Sequence, residues 1–412
     1  MNHDGVDFLL SREGLAILAR EADSAPTDPL REVSRLRAEG LAPWQVSALL
    51  GQAALRRRAI QKFGALASRL LFTEAGLEQA TRSIVADHHA TRYADAGLNR
   101  VADLGCGIGA NSLALQRANR EVTAVELDPL TAKIAAHNLT VQGAELFSGT
   151  VVPTATVITG DAESFPLDGV DGVFLDPARR TAGHSNTRRI TDPDDYSPSL
   201  HFAHNLALRL PTGIKLGPGL DRDLIPEGVE AQWVSVDNQV VEMGLWSGPL
   251  ARPGVGRSAL LLATKGENRC YELSAAQDSE DAAVTGLGEY LYEPDGAVIR
   301  ARLIGLLARQ IGAGMLSEGI AYLSSETLTP TPFASAFRIV EVFPFQERRL
   351  KQAMRARGIG SLEIKKRGAD TDPALLRKRL QLRGPHHATL IITRHGHKHV
   401  ALLAERLPAF SS

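Results

Sequence analysis

Residues 101 to 112 read VADLGCGIGANS, an apolar run that ends at Asp103 and Leu104 and gives way to Gly105, Gly107 and Gly109 ahead of a helical pattern. Glycines between a strand and a helix let the backbone turn tightly and approach a ligand with no Cβ in the way. On spacing alone Gly105, Gly107 and Ala110 also fit a dinucleotide-binding fingerprint. Asp103 argues against that reading, because a carboxylate just before the glycines repels a pyrophosphate and attracts an ammonium. Glu126 closes the next strand-like run, EVTAVELD, where it can accept both hydroxyls of a ribose. Asp161 closes ATVITGD, where an adenine amino group could donate to it. The three acids are expected along the carboxyl edge of one sheet, the usual ligand crevice of such folds.

Working outward, RVADLG, EVTAVELD, ATVITGD, GVFLDP and TGIKLG alternate with helical patterns, which predicts a parallel sheet with helices on both faces. AQWVSVDNQVVEMGLW reads as two strands around Asp237 and Asn238, a hairpin that puts one terminal strand antiparallel. Sheets that bind nicotinamide cofactors usually lack that hairpin. Before Arg100 the texture is helical: Pro43 can open a helix in LAPWQVSALLGQAALRRRAIQKFG, and Thr73 is expected as the N-cap of TEAGLEQATRSIVADHHA, with Leu77, Ile84 and Val85 inward. A polar stretch near 265 to 288 is the expected linker. Beyond it GAVIRARLIGLLARQIG reads as an amphipathic helix, FRIVEVFPF as a strand and ATLIITRHGHKHVALLAE as a hairpin turning near Gly396. The expected organisation is a helical region over 1–92, an α/β domain over 93–265 with a Rossmann-like sheet and an antiparallel terminal hairpin, and a small α/β domain over 286–408.

The composition is that of an ordinary soluble protein, and no apolar run approaches the roughly 20 residues that cross a bilayer. The acidic start MNHDGVDFLLSREG lacks the features of a secretory signal, so a cytoplasmic location is expected and no membrane partner. Cys106 and Cys270 are the only cysteines. They are too few for a disulfide framework or a four-cysteine metal site, and no metal is expected. Cys106 reads as a small buried turn residue rather than a nucleophile. Cys270 follows the sheet in GENRCYEL, which disfavours a cysteine attack on a pyrimidine ring. The net charge of −1 hides an asymmetry: from Ala334 onward 16 Lys and Arg face 6 Asp and Glu, so that segment carries about +10. A basic end of this kind suits nucleic acid, though it also suits a solvated Arg-rich surface.

With these motifs the chain resembles the class I S-adenosylmethionine-dependent methyltransferases over about residues 100 to 250. The resemblance implies S-adenosylmethionine as cofactor and puts Asp103, Gly105, Gly107, Glu126 and Asp161 at cofactor-contact positions, with Gly109 in the same loop. FLDPARRT, residues 174 to 181, then falls at the end of the fourth strand. In methyltransferases that modify exocyclic nitrogens of bases, this position resembles Asn or Asp, Pro, Pro and an aromatic residue. An aryl amine is a poor nucleophile because its lone pair is delocalised, and acceptors for its hydrogens localise and aim that pair. Asp176 is the candidate acceptor and Pro177 the residue that stiffens the loop. Ala178 and Arg179 depart from the pattern. Arg179 and Arg180 could stack on a base or grip a phosphate, with His184, Arg188 and Arg189 behind them.

GIGSLEIKKRGADTDPALLRKRLQLRG, followed by ATLIITR, resembles the THUMP-like domain at the C-terminus of a group of bacterial methyltransferases, EYLYEPDGAVIRA just before it looks characteristic of the same group, and the whole is distantly similar to trimethylguanosine synthase. THUMP domains proper bind RNA, which implies phosphate contacts from Lys365, Lys366 and Arg367, supported by Arg377, Lys378, Arg379 and Arg383. His395, His397 and His399 alternate, but a tight turn with solvated imidazoles is the better reading than a metal site. The resulting expectation is methylation of a base nitrogen of RNA, rRNA or tRNA, without metal. Alternatives are a methyltransferase for a small molecule or protein, and a non-catalytic RNA-binding protein on a degenerate methyltransferase fold. The sequence leaves the oligomeric state open.

Overall fold

The computed structural model describes residues 3–22, 29–146, 154–179, 196–264, 269–408 and 410. The chain divides into two compact units, Met1–Val229 with Gly244–Arg252, and Glu230–Met243 with Pro253–Ser412.

In the first unit the N-terminal region is helical, and its long helix opens with Pro43 in the first turn and runs to Phe63. Proline suits that position because the N–H it lacks would have no intrahelical partner. Val46, Leu49, Leu55 and Phe63 of this helix are buried. The side-chain amide of Gln52 donates to Phe72 O at 2.8 Å and accepts from Phe72 N at 2.9 Å, so a non-helical segment is held as firmly as a sheet edge. Its neighbour Leu71 is bonded in the same reciprocal way by Asn138, at 2.8 and 3.1 Å. That residue lies on the helix Pro129–Leu146.

The parallel sheet of this unit contains β1 (Arg100–Leu104), β2 (Glu121–Glu126), β3 (Ala155–Thr159), β4 (Gly172–Leu175) and β5 (Thr212–Leu216). Their order is β3-β2-β1-β4-β5, every pair parallel. The order reverses between β1 and β4, which opens a crevice at their carboxyl ends. β4 is buried along its whole length. Gly213 is required in β5, since a Cβ there would lie 2.6 Å from the Trp246 ring and 2.7 Å from the Tyr93 hydroxyl. That hydroxyl donates to Val173 O at 2.6 Å, fastening the helix Ser83–Asp95 to the middle of the sheet.

β6 (Glu230–Val236) and β7 (Gln239–Trp246) form the expected hairpin. Asp237 and Asn238 both have positive φ, 48° and 66°, the twist that a tight two-residue turn demands. β7 crosses the division between the units, and Ser247 just beyond it donates its N–H to Thr212 O at the edge of β5. In the second unit β8 (Arg257–Ala263) runs parallel to β6, and β9 (Arg269–Ala275) antiparallel to β8. β9 occupies part of the stretch expected as a linker. Only Leu273 of this strand is buried, so it carries little of the apolar signal by which strands are read.

The rest of the second unit is a sheet of β10 (Tyr290–Pro294), β11 (Gly314–Ser317), β12 (Ile320–Ser325), β13 (Ala334–Pro344), β14 (Ile359–Arg367), β15 (His386–His395) and β16 (Lys398–Arg406). The order is β11-β12-β10-β13-β16-β15-β14, with β14 and β15 parallel. Helices Glu347–Ala356 and Pro373–Leu380 bury Leu350, Met354, Leu376 and Leu380 against Ile364, Leu390 and Ile392. A second cluster unites Leu291, Tyr322, Phe337, Ile391 and Leu402. The β15–β16 hairpin turns at Gly396, φ 57°, with His395 opposite Lys398.

Two helices expected as continuous are broken. Thr73 caps Glu74–Gln79 through a hydroxyl that accepts from Gly76 N at 2.9 Å, but that helix ends at Ala80 and another begins at Ser83. The ammonium of Lys62 explains the break, donating to the carbonyls of Leu77, Glu78 and Ala80 at 2.8, 2.6 and 2.7 Å and so satisfying acceptors that a longer helix would use itself. Likewise 296–311 is two helices, Gly296–Arg300 and Ile304–Ile311, separated by Arg302 at φ 59°.

Candidate active site

The loop after β1 doubles back on β2: Gly105 N and Cys106 N both donate to Val125 O, at 2.8 and 3.0 Å. Gly105, Gly107 and Gly109 have φ of 81°, 56° and 88°, left-handed values that other residues adopt only under strain. A Cβ on Gly105 would point at Pro198, 3.6 Å away, and at the carbonyl oxygen of Asp176, 4.0 Å away. The loop therefore meets the end of β4 with little room between them. Cys106 is buried, and burial pushes its thiol well above the ordinary range, which suits a packing residue and not a nucleophile.

The carboxylates line the same edge but in different settings. Asp103 is 1% exposed and accepts from Ser112 Oγ at 2.5 Å. Burial pushes its carboxyl up to about 7 against the Ser112 hydrogen bonds, and the charges of Asp176 and Glu126 add to the rise. Glu126 is half-buried, and its two oxygens accept from Gly107 N and from Asp128 N, each at 2.9 Å, so it braces the glycine loop. Asp161 is exposed and accepts from Glu163 N at 3.1 Å.

At the end of β4 Asp176 is half-buried and Pro177 buried. Asp176 Oδ2 accepts from Lys215 Nζ at 2.5 Å. Lys215 belongs to β5, is largely buried, and also reaches Gln79 O at 3.4 Å. The sequence reading missed Lys215, although a lysine in the apolar run TGIKLG is an available signal: a charge near the end of a buried strand needs a partner. It also missed Ser112 and Lys62. Ala178 and Arg179 form a two-residue ladder with Tyr196 and Ser197. Arg180, His184, Arg188, Arg189 and the side chain of Arg179 lie outside the described residues.

Comparison with known proteins gives this crevice its chemistry. Residues 102–177 match the methyltransferase domain family, residues 334–406 the THUMP domain-like family, and residues 2–59 a domain family of unknown function. Over 371 residues the chain is 35% identical to an uncharacterized S-adenosylmethionine-dependent methyltransferase of Mycobacterium tuberculosis, in strains CDC 1551 and H37Rv alike, covering 88% of this chain and 95% of the relative. The chain belongs to the S-adenosylmethionine-dependent methyltransferases. The crystal structure of a candidate methyltransferase from Porphyromonas gingivalis W83 shares the fold, with a TM-score of 0.76 at 21% identity over 97% of this chain and 100% of that one. This methyltransferase is thus a class I enzyme with a C-terminal THUMP-like domain, and S-adenosylmethionine is its cofactor. That sets aside the reading of a non-catalytic protein on a degenerate fold.

In the methyltransferase's THUMP-like domain much of the positive charge is already paired. Arg338 bonds Glu405 at 2.6 Å, Lys365 bonds Glu293 at 2.6 Å, Arg379 bonds Glu347 at 2.8 Å and Arg406 bonds Glu363 at 2.8 Å, while Arg357 pairs with Glu341. Arg367 lies 4.0 Å from Glu293 and over the ring of Tyr322. Lys366, Lys378 and Arg383 are exposed and make no ion pair among the described residues. No helix among the described residues is long and apolar enough to cross a membrane, and no cluster of His, Cys, Asp or Glu among them is arranged to hold a metal.

Proposed function

We propose that this methyltransferase methylates a nitrogen of an RNA base, with Asp176 and Pro177 at the reacting amine. In this reading Asp103, Gly105, Gly107, Gly109, Glu126 and Asp161 hold the cofactor. The observation that carries it is the Asp176 carboxylate at the carboxyl end of β4, beside the Cβ-free loop and fixed through one oxygen by Lys215. The crevice fits S-adenosylmethionine: the loop offers backbone at close approach, Asp103 a buried carboxyl that an ammonium would hold in its ionised form, and Glu126 a carboxylate for ribose hydroxyls. Bound there, the cofactor supplies an electrophilic methyl group on a sulfonium sulfur. Everything else falls to the chain. Lys215 occupies Oδ2 of Asp176 and leaves the other oxygen to accept a hydrogen of the amine, which localises the nitrogen lone pair. Pro177 limits the motion of the acceptor. The surplus proton on the methylated nitrogen passes to that carboxylate and on to water.

Arg179 and Arg180 would hold the base or its phosphate, and Lys365, Lys366 and Arg367 the flanking RNA, rRNA or tRNA. The THUMP-like match supports an RNA partner. The dense ion pairing of that domain favours a second reading, a small-molecule or protein substrate with the basic residues serving the domain's own structure. The deciding experiment incubates the enzyme and labelled cofactor with a cell extract from a strain lacking the gene, separates RNA, protein and small molecules, and follows with mass spectrometry of the nucleosides. Label in a methylated base supports the RNA reading. Label that enters only protein or small molecules moves the conclusion to the second.

A further inference from the structure

We infer that the second unit carries a binding site for a nucleotide, a nucleobase joined to a phosphate, in a cavity of about 810 Å³. The cavity opens among the ends of β8, β9, β10, β13, β14 and β16, and its volume is within the range of sites that enclose most of a small ligand.

One part of its lining is flat and apolar. Tyr271 and Phe410 meet edge to face with ring centroids 6.0 Å apart, and Pro330, Pro332 and Pro408 add rigid faces. Aromatic faces of this kind stack on any base. Lys365, Arg367 and Arg406 contribute the cationic part. Three acids also line it: Asp295 accepts from Ala297 N and Ser235 Oγ, Asp237 accepts from Thr264 N and Oγ1, and Glu293 takes Lys365. Arg406 is taken by Glu363. Arg367 is held less tightly, 4.0 Å from Glu293.

Two lining residues carry a buried atom without a hydrogen-bond partner among the described residues: Arg367 Nε in the cationic part, close to the likewise unbonded Tyr322 hydroxyl, and Tyr271 Oη in the aromatic part. A buried donor left unmade is costly, and a ligand that meets both explains why both persist. A phosphate oxygen suits Arg367 Nε, and a ring nitrogen or carbonyl of a base suits the tyrosine hydroxyl. Tyr271, Phe410 and the prolines lie outside residues 334–406, so the site is not a property of the THUMP-like match alone. Nor does it rest on the RNA substrate reading, because either a free nucleotide or one nucleotide of an RNA chain presents this chemistry.

Calorimetry on the full-length protein tests it, with adenosine and uridine monophosphates in one arm and a short single-stranded oligoribonucleotide in the other. Arg367→Gln and Tyr271→Phe are the variants, with melting temperature and S-adenosylmethionine affinity as folding controls. We expect binding to the wild type, weakened about tenfold or more by Arg367→Gln and a few-fold by Tyr271→Phe. Mononucleotide binding identifies a free nucleotide as a sufficient source. Binding of the oligonucleotide alone, weakened by the same variants, identifies the RNA chain. If Arg367→Gln fails to fold, Tyr271→Phe decides, since it removes only an oxygen without a partner. No binding in either arm, or binding untouched by the variants, overturns the site. Because the measurement needs no methyl acceptor, absence of RNA methylation leaves this result unaffected.

Discussion

Replacing Asp103 by asparagine should stabilise the cofactor-free enzyme at alkaline pH while weakening its hold on S-adenosylmethionine. Burial raises the carboxyl from 3.8 to about 7. A folded-state pKa above the unfolded one means that the unfolded chain gives up its proton first. The stability associated with this group is therefore fully present below pH 3.8 and is lost as pH rises through about 7. That rise in the carboxyl pKa corresponds to about 4 kcal/mol above pH 7 and to roughly 1 to 2 kcal/mol near pH 5, and full burial leaves no solvent screening to discount. Asparagine keeps the shape and a hydrogen bond with Ser112 but carries no charge. The stability difference between Asp103→Asn and wild type should thus move in favour of the variant by roughly 2 to 3 kcal/mol between about pH 5 and pH 8.5. Denaturant titrations of the cofactor-free proteins at both pH values measure it. Cofactor affinity near pH 8 should fall about tenfold or more in calorimetry, through loss of a charge-assisted contact. A stability difference that does not change with pH would refute the argument that Asp103 titrates in this window, and unchanged affinity would remove it from the cofactor site.

Glu126→Ala should lower S-adenosylmethionine affinity by about tenfold or more, because it removes the proposed ribose acceptor and also frees Gly107 N and Asp128 N, which calorimetry will read directly. Asp176→Ala should cut turnover about a hundredfold or more with little change in cofactor affinity, as expected for a group that acts as the amine lone pair localises. Comparable loss in the Michaelis constant alone would make it a binding residue. Lys62→Met should destabilise the first unit by about 2 kcal/mol or more in denaturant unfolding, since the carbonyls of Leu77, Glu78 and Ala80 lose a charged donor. A neutral result would mean that water replaces the ammonium at the helix end.

The parallel sheet was legible because each strand is a short apolar run closed by a polar residue at the carboxyl edge, and because Gly105 to Gly109 could only be a turn there. The hairpin was legible in Asp237 and Asn238, residues that tolerate positive φ. β9 was not, because an edge strand with one buried side chain has almost no hydrophobic period to read. The break at Ala80 was not, because its cause is Lys62, far back in the chain and brought close only by the fold. The pair of Asp176 with Lys215 depends on the register of β4 against β5, which no local pattern fixes. The basic end illustrates the limit of counting: composition sees the charges of Lys365, Arg379 and Arg406 but not the glutamates that meet them.

The helical N-terminal region belongs to the crevice's own architecture. Lys62 gathers the carbonyls at the end of the helix Glu74–Gln79, and Lys215 reaches the carbonyl of Gln79 from the other side while holding Asp176. The carboxyl end of a helix carries partial negative charge, so this one helps to keep both ammonium groups where they are. Asn138 ties the preceding segment to the loop after β1, bonding Leu71 through both ends of its amide and donating to Ile108 O at 3.0 Å. Movement of the helical region would therefore reach two groups at once, the glycine loop through Ile108 and Asp176 through Lys215. A site assembled from β-strand ends alone would need only the sheet for its precision. This one also draws on residues some 40 to 100 positions upstream, and its Asp176 is held by a lysine that also reaches a helix end contributed by that upstream region.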